Sequence, residues 1–113
     1  MEISKELLSE VLGINNISSI IYDIDFPNII EHNQYATLAR GRRSTEINIY
    51  ELAFKLKIWA YSNCCELISY TEGCEIFQTQ LGETIKYFYA ETEVEAIILA
   101  SEWILKEINE KQL

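Results

Sequence analysis

The sequence predicts an α+β fold in which an antiparallel sheet of about five strands carries three helices, in the order α-ββ-α-βββ-α. Two segments with apolar residues at helical spacing, each introduced by a capping residue, predict the central and the final helix. Three short extended segments joined by Gly-containing turns predict antiparallel strands between them. At 113 residues the chain has the length of one domain, so we expect residues 1–113 to share a single core.

The central helix is predicted within Ile47–Asn63, INIYELAFKLKIWAYSN. Asn48 is a suitable N-cap, Glu51 follows three residues later, and Asn63 is expected to end the helix in a left-handed conformation. At about 100° per residue one apolar stripe forms from Ile49, Leu52, Ala53, Leu56, Trp59 and Ala60, and a second from Tyr50, Phe54, Ile58 and Tyr61. Because both stripes are apolar, we expect the second to be covered by another helix or by another subunit, in which case it forms a homodimer interface.

Two further helices are predicted at the ends of the chain. Ser4 and Gly13 bound a short amphipathic helix over Ser4–Leu12. Thr92 begins a capping box that opens a helix running to about Asn109.

Five strands are predicted between the helices. Alternation predicts a strand over Ser19–Phe26, a loop over Pro27–Asn33, a weaker second strand over Gln34–Arg40 and a connection over Gly41–Glu46. The C-terminal meander is predicted over Glu66–Thr71, Cys74–Gln80 and Glu83–Tyr89. In its last strand we expect Ile85, Tyr87 and Tyr89 on one face and Lys86 and Phe88 on the other.

Composition limits the function classes. The formal net charge is −9, and residues 66–113 hold ten of the 18 acids but three of the 9 bases, a distribution that repels nucleic acid. No apolar run reaches the ~18 residues of a bilayer span, and no secretory leader is recognisable, which predicts a cytoplasmic protein that needs no membrane. Cys64, Cys65 and Cys74 have no metal-ligand spacing, so we expect buried reduced thiols, no metal and no cofactor.

Candidate catalytic groups are few. His32 is the single histidine, predicted in a polar loop without a nucleophile motif, and we expect an ordinary solvated side chain there. Asp23 and Asp25 are two apart on a predicted strand, so their carboxylates share a face that either holds a cation or is simply hydrated. An enzyme centred on His32 and this aspartate pair is the weakest of three functional hypotheses.

Two charged groups are candidate contact surfaces. Arg40, Arg42 and Arg43 flank Gly41 on one loop, where guanidinium groups bind a phosphate or an acidic partner, or are merely solvated. The densest acidic group comprises Glu91, Glu93, Glu95, Glu83 and Glu102. Such carboxylates either support helix capping and solubility or occupy sites meant for nucleic-acid phosphates. Tyr50, Tyr61, Trp59 and Trp103 are more aromatic surface than a core of this size usually needs, and they either belong to an interface with a partner or pack the core against the sheet.

At INIYELAFKLKIWAYSN, and again at ETEVEAIILASEWIL, the chain resembles small uncharacterised proteins of bacteriophages and prophages. The resemblance covers about residues 45–108 and implies a helix–sheet–helix sandwich without a catalytic signature. Proteins of this type include anti-CRISPR and other anti-defence inhibitors, which occlude a host nucleoprotein complex. The Arg40–Arg43 loop has no counterpart in that resemblance.

The leading expectation is therefore a non-enzymatic, protein-binding phage-type inhibitor of a host defence or nucleic-acid-processing complex, acting through its acidic surface and the Arg loop. The alternative is a small-molecule or nucleotide-binding regulator that uses Arg40, Arg42 and Arg43.

Overall fold

The computed structural model describes residues 2–22, 25–35 and 42–110, and within them three helices and six strands follow the order α-βββ-α-βββ-α. The helices are α1 (Lys5–Leu12), α2 (Ile49–Ser62) and α3 (Glu93–Asn109). The strands are β1 (Ile17–Tyr22), β2 (Ile29–Tyr35), β3 (Arg42–Asn48), β4 (Cys65–Tyr70), β5 (Gly73–Gln78) and β6 (Glu83–Tyr89).

The strands form two separate antiparallel sheets, β1-β2-β3 and β4-β5-β6. The predicted α+β class and antiparallel pairing are thus confirmed, whereas the single sheet of about five strands is wrong. The C-terminal meander lies within one residue or two of its predicted limits. Its short turns pair strands that are neighbours in sequence, so the pairing could be predicted from local sequence alone.

The N-terminal sheet differs most from the prediction. The expected loop over Pro27–Asn33 is wrong beyond Asn28, because Ile29 begins β2, the central strand of the sheet. The expected connection before α2 is also wrong, since β3 occupies all of it that the structure describes. These polar segments lack the alternation typical of strands. Pairing between them, for example of Ile30 with Ile47, satisfies the hydrogen-bonding groups of their backbones. This pairing outweighs their weak strand propensity. β1 is displaced to Ile17–Tyr22, and residues 36–40 of the predicted second strand lie outside the described residues.

The helix starts agree with the predicted caps. Ser4 Oγ accepts from the Leu7 N–H at 3.1 Å, Asn48 Oδ1 from the Tyr50 N–H at 2.8 Å, and Thr92 Oγ1 from the Glu95 N–H at 3.2 Å. These bonds satisfy N–H groups that have no partner inside the helix.

The left-handed residue after α2 is Cys64, with φ 64°, and not Asn63, whose φ is −105°. Asn63 instead donates from Nδ2 to the Trp59 carbonyl at 2.9 Å. This bond holds the asparagine against the last turn of α2, and the reversal falls on the next residue.

The core lies where α2 and α3 pack against each other and against one face of the C-terminal sheet. Its largest fully buried side chains include Leu7, Leu8, Leu52, Leu56, Ile76 and Ile104. α1 closes the core by contacting β1, α2 and α3. Because both long helices lie on the same face, the C-terminal sheet is not the middle layer of a helix–sheet–helix sandwich. None of the helices in the described ranges combines the length and the apolar character needed to cross a bilayer.

A β-bulge changes the facing of β6. Ile76 pairs with Lys86 while Phe77 pairs with Thr84, which leaves Ile85 as an extra residue. The predicted alternation is therefore wrong at Ile85: this side chain packs on the core together with Phe88, while Tyr87 and Tyr89 are exposed.

Candidate protein-binding groove

An open groove of about 880 Å³ lies between the N-terminal halves of α2 and α3 and residues 27–29 at the start of β2. Its position is fixed by packing, because α2 and α3 contact each other and the Ile49 N–H donates to the Asn28 carbonyl at 2.9 Å. Asn28 is thereby tied to the first residue of α2. The groove is thus bounded by three elements that belong to different parts of the sequence.

The floor of the groove is apolar and fixed. Ile49, Ala53, Val94 and Ile97 line it, and each of these side chains is buried in the core. Because close-packed side chains have little freedom to rearrange, this floor has a defined shape before anything binds.

One wall of the groove consists of side chains that no described element of the chain covers. Tyr50 and Phe54 line it, and they continue along α2 into Ile58 and Tyr61. The exposed fractions are 61% for Tyr50, 64% for Phe54, 55% for Ile58 and 65% for Tyr61. Coverage of this second stripe by another helix of the same chain is therefore wrong for the described residues, and coverage by another chain stays a prediction. We call these four side chains the α2 stripe.

The opposite wall is acidic. Glu91, Glu93 and Glu95 line the groove around Thr92, the N-cap of α3. Glu93 accepts a 2.5 Å hydrogen bond from Ser69 Oγ, which anchors its carboxylate to β4. Carboxylates are favoured at this end of a helix by the backbone dipole, so the fold tolerates three of them close together. We call these three residues the acidic rim.

Lys57 is the cation of the groove within the described residues. It lies on α2 next to the α2 stripe, at a position the sequence shows as a lone charge between apolar neighbours. This isolated charge was the one feature of the sequence that could have indicated a role for Lys57. Sequence reasoning missed Lys57 and the floor residues as groove components, because nothing local connects them to residues 91–95.

The other predicted acids lie away from the groove. Glu102 accepts from the Ser4 N–H and from Ser4 Oγ, each at 2.7 Å, and so fastens the start of α1 to α3. Glu83 is the first residue of β6. The other end of this strand, which precedes Glu91, is about 20 Å away along the strand. The structure therefore brings together three of the five acids, and partner contact by Glu83 and Glu102 stays a prediction.

Most of the arginine loop and the aspartate pair lie outside the described residues. This applies to Arg40 and Asp23, and of Arg42 and Arg43 the structure describes the backbone alone, at the start of β3. The predicted roles of Arg40, Arg42 and Arg43 stay predictions. The strand expected to carry Asp23 and Asp25 is wrong at Asp25, because β1 ends at Tyr22, so their shared face loses its basis.

The sequence suggested that His32 is a solvated loop residue, and this is wrong. His32 is a buried residue of β2 and is 3% exposed. It pairs across the sheet with Ile20 and Thr45 and does not line the groove. Its Nδ1 has no hydrogen-bond partner among the described residues. Burial lowers the pKa of His32 from its ordinary value of 6.5, because the charged imidazolium is poorly solvated there.

Protonation of His32 should make the protein less stable in acid. The unfolded chain takes up this proton near pH 6.5 and the folded chain does so at lower pH, so stability is lost as the pH falls below about 7. One such group changes the free energy of unfolding by at most about 1.4 kcal/mol per pH unit. Urea unfolding at pH 7.5, 6.5 and 5.5 should therefore show a smaller loss in acid for His32→Gln than for the native sequence. Equal pH dependence in the two proteins would contradict the assignment.

The cysteines are free thiols, with Cys65 and Cys74 fully buried and Cys64 half-buried. Within the described ranges, no group of three His, Cys, Asp or Glu side chains comes together as a set of metal ligands. Burial raises the pKa of Cys65, and it raises the pKa of Cys74 to about 11. Buried thiols of this kind pack as small apolar groups.

The aromatic side chains divide between core and surface. Trp59 and Trp103 pack against the core, the latter at 6.4 Å between ring centroids from Phe88. Tyr50 and Tyr61 remain on the surface. The four aromatic residues that the sequence suggested as surplus therefore divide into two packed on the core and two exposed on α2.

Comparison with known proteins finds no matching family model, no matching curated protein and no matching solved structure. The site's geometry therefore stands as the basis for functional inference.

Proposed function

We propose that the chain is a non-enzymatic protein-binding module that docks a cation-bearing segment of another protein in the groove and on the α2 stripe. The observation that carries this proposal is the exposure of four large apolar side chains of one helix, two of which line a groove together with three carboxylates. The largest apolar patch on a monomeric protein is often a functional surface, and aromatic side chains are enriched among the residues that dominate interface energetics.

The charge of the groove indicates which partner fits. Three carboxylates face one lysine, so the site attracts lysine and arginine side chains and repels phosphates. Tyr50 and Phe54 offer the faces of aromatic rings, on which the same cations are stabilised. A basic segment with apolar residues satisfies both walls.

The resemblance to phage proteins gives the proposal a biological setting. In a host cytoplasm the partner would be a defence complex of the CRISPR type or another nucleic-acid-processing complex. The basic surfaces with which such complexes hold nucleic acid match an acidic groove in charge. The inhibitor would then act by occupying a surface and not by chemistry.

The nucleotide-binding alternative rests on Arg40, Arg42 and Arg43, because the acidic rim disfavours a phosphate in the groove. A thermal-shift screen against nucleotides separates the two functions, since a ligand that binds the folded state raises its melting temperature. A rise that disappears in an Arg42→Ala, Arg43→Ala variant would favour the alternative.

A second copy of the chain, bound through the α2 stripe in a homodimer, is the other occupant to consider. Two copies packed through the stripe would bring their acidic rims together, which opposes association. We therefore favour a different protein as the occupant.

Phe54→Asp should abolish capture of the partner. The substitution places a charge in the middle of the α2 stripe, and loss of an interface anchor commonly costs 2 kcal/mol or more, about 30-fold in affinity. The measurement is quantitative affinity capture of the tagged chain from cells of its host, with captured proteins compared between variants by mass spectrometry.

Leu81→Asp is the matched control. Leu81 is 65% exposed, close to the 64% of Phe54, but lies in the β5–β6 turn away from the groove. The proposal requires a captured protein that Phe54→Asp loses, that Glu91→Gln, Glu93→Gln, Glu95→Gln weakens about tenfold, and that Leu81→Asp retains. Equal capture by Phe54→Asp and Leu81→Asp would contradict it.

A further inference from the structure

We propose that the segment received by the groove is a basic amphipathic α-helix lying along α2. This inference rests on the proposed function and names the conformation and charge pattern of the partner segment. It depends on three properties of the site, namely the spacing of the α2 stripe, the absence of main-chain pairing groups on it and the one-sided position of the acidic rim.

The α2 stripe has the spacing of a helix–helix contact. Its members follow one another by four, four and three residues and extend over about 16 Å of the helix axis, or three turns. A row of side chains with this spacing is the ridge that packs between side chains of a second helix. A partner helix of three to four turns covers the row completely.

A partner segment bound to the α2 stripe satisfies its backbone hydrogen bonds better as a helix than as an extended strand. α2 uses its own main-chain groups in helical hydrogen bonds, and the stripe offers aromatic and aliphatic side chains. A strand laid on it would press its N–H and C=O groups against apolar surface without partners, at a cost for each group. A helix satisfies those groups internally, which is the helix-in-groove mode of recognition.

The acidic rim determines which charged residues the partner helix carries on the side that faces it. Glu91, Glu93 and Glu95 lie on one side of the groove, across from Tyr50 and Phe54. A helix seated on the stripe therefore meets carboxylates on one flank where it passes Tyr50 and Phe54, the two members of the stripe that line the groove. Lysine or arginine on that flank gains an ion pair with the rim, and acidic residues there are repelled.

Synthetic peptides test this directly. The probe is a fluorescein-labelled 18-residue peptide with leucine at helical positions i, i+4, i+7 and i+11, lysine on the flanks and alanine elsewhere. A second peptide replaces the lysines with glutamate, and a third carries two central prolines that prevent helix formation. Fluorescence anisotropy measures binding to the native chain and to its variants at 50 and 300 mM salt.

We expect the lysine helix to bind at least tenfold more tightly than either of the other peptides, with an affinity that falls as salt rises. Phe54→Asp should weaken its binding at least tenfold, and Leu81→Asp should not change it. The Glu91→Gln, Glu93→Gln, Glu95→Gln variant should bind weakly and lose most of the salt dependence.

Equal binding of the helical and proline-containing peptides, or of the lysine and glutamate peptides, would overturn the inference. So would equal binding by Phe54→Asp and Leu81→Asp. If the lysine helix fails in this way while Phe54→Asp still loses a captured protein in cells, the partner segment is not a basic helix and the proposed function stands. Failure of both experiments rejects the groove as a docking site.

Discussion

Leu56→Ala should destabilise the protein by about 2–5 kcal/mol, the range for removing a fully buried leucine from a packed core. Leu56 belongs to the first apolar stripe of α2, with Ile49, Leu52 and Ala53, and is fully buried in the core that α2 forms with α3 and the C-terminal sheet. The truncation removes apolar contacts and leaves a cavity that close-packed neighbours fill incompletely. Urea unfolding followed by circular dichroism and tryptophan fluorescence measures the loss.

Phe54→Ala is the internal comparison, two residues away on the same helix. Because Phe54 is 64% exposed, its truncation should change the free energy of unfolding by no more than about 0.5 kcal/mol. A loss at Phe54 as large as that at Leu56 would show that the α2 stripe is buried in the folded protein and would contradict its exposure. The pair thus separates the stripe that holds the fold together from the stripe available to a partner.

Two of the three thiols should resist modification in the folded protein. At pH 8 a thiol with the pKa of Cys74, about 11, is a thiolate in roughly one molecule in a thousand, and the thiolate is the reactive form. Cys74 and Cys65 are also inaccessible to a reagent until the fold opens. Ellman's reagent should therefore release one equivalent of chromophore quickly and the other two at least 100-fold more slowly.

The fast equivalent belongs to Cys64, which is half-buried. Cys64→Ser should remove the fast phase and leave the slow ones, and 6 M guanidinium should make every remaining thiol react quickly. Fast reaction of all three thiols in the native protein would mean that β4 and β5 are not sealed by α2 and α3.

The helices could be predicted because their signals are local. Ser4, Asn48 and Thr92 bind the first turns of α1, α2 and α3, and the first apolar stripe of α2 has the burial that its spacing implies. The C-terminal meander follows from short turns between neighbouring strands. Caps, turns and periodicity need no knowledge of distant residues.

The N-terminal sheet could not be predicted in this way. β3 has polar residues without alternation and forms because β2 lies beside it, and β2 itself contains the polar residues that suggested a loop. Strand formation there is decided by pairing between segments and not by propensity. The same error placed His32 in solvent. As a residue of β2 it lies two positions from the buried Ile30, and alternate residues of a strand share a face.

The groove was predictable in its parts and not as a whole. The sequence identified Tyr50 and Phe54 as surplus apolar surface and Glu91, Glu93 and Glu95 as an acidic cluster, and the structure places the two groups on opposite walls of one cavity. Some 40 residues separate them, and their meeting depends on how α2 packs against α3. Helix spacing alone contains no information about that packing.

The proposed docking requires the α2 stripe to be open to another protein in the folded monomer. Light scattering coupled to size exclusion, at chain concentrations from 5 to 200 μM, shows whether it is. We expect the monomer mass of 13.1 kDa throughout, unchanged by Phe54→Asp. Twice that mass for the native chain, reverting to the monomer in Phe54→Asp, would show that the stripe is already occupied by a second copy and would contradict the proposed docking.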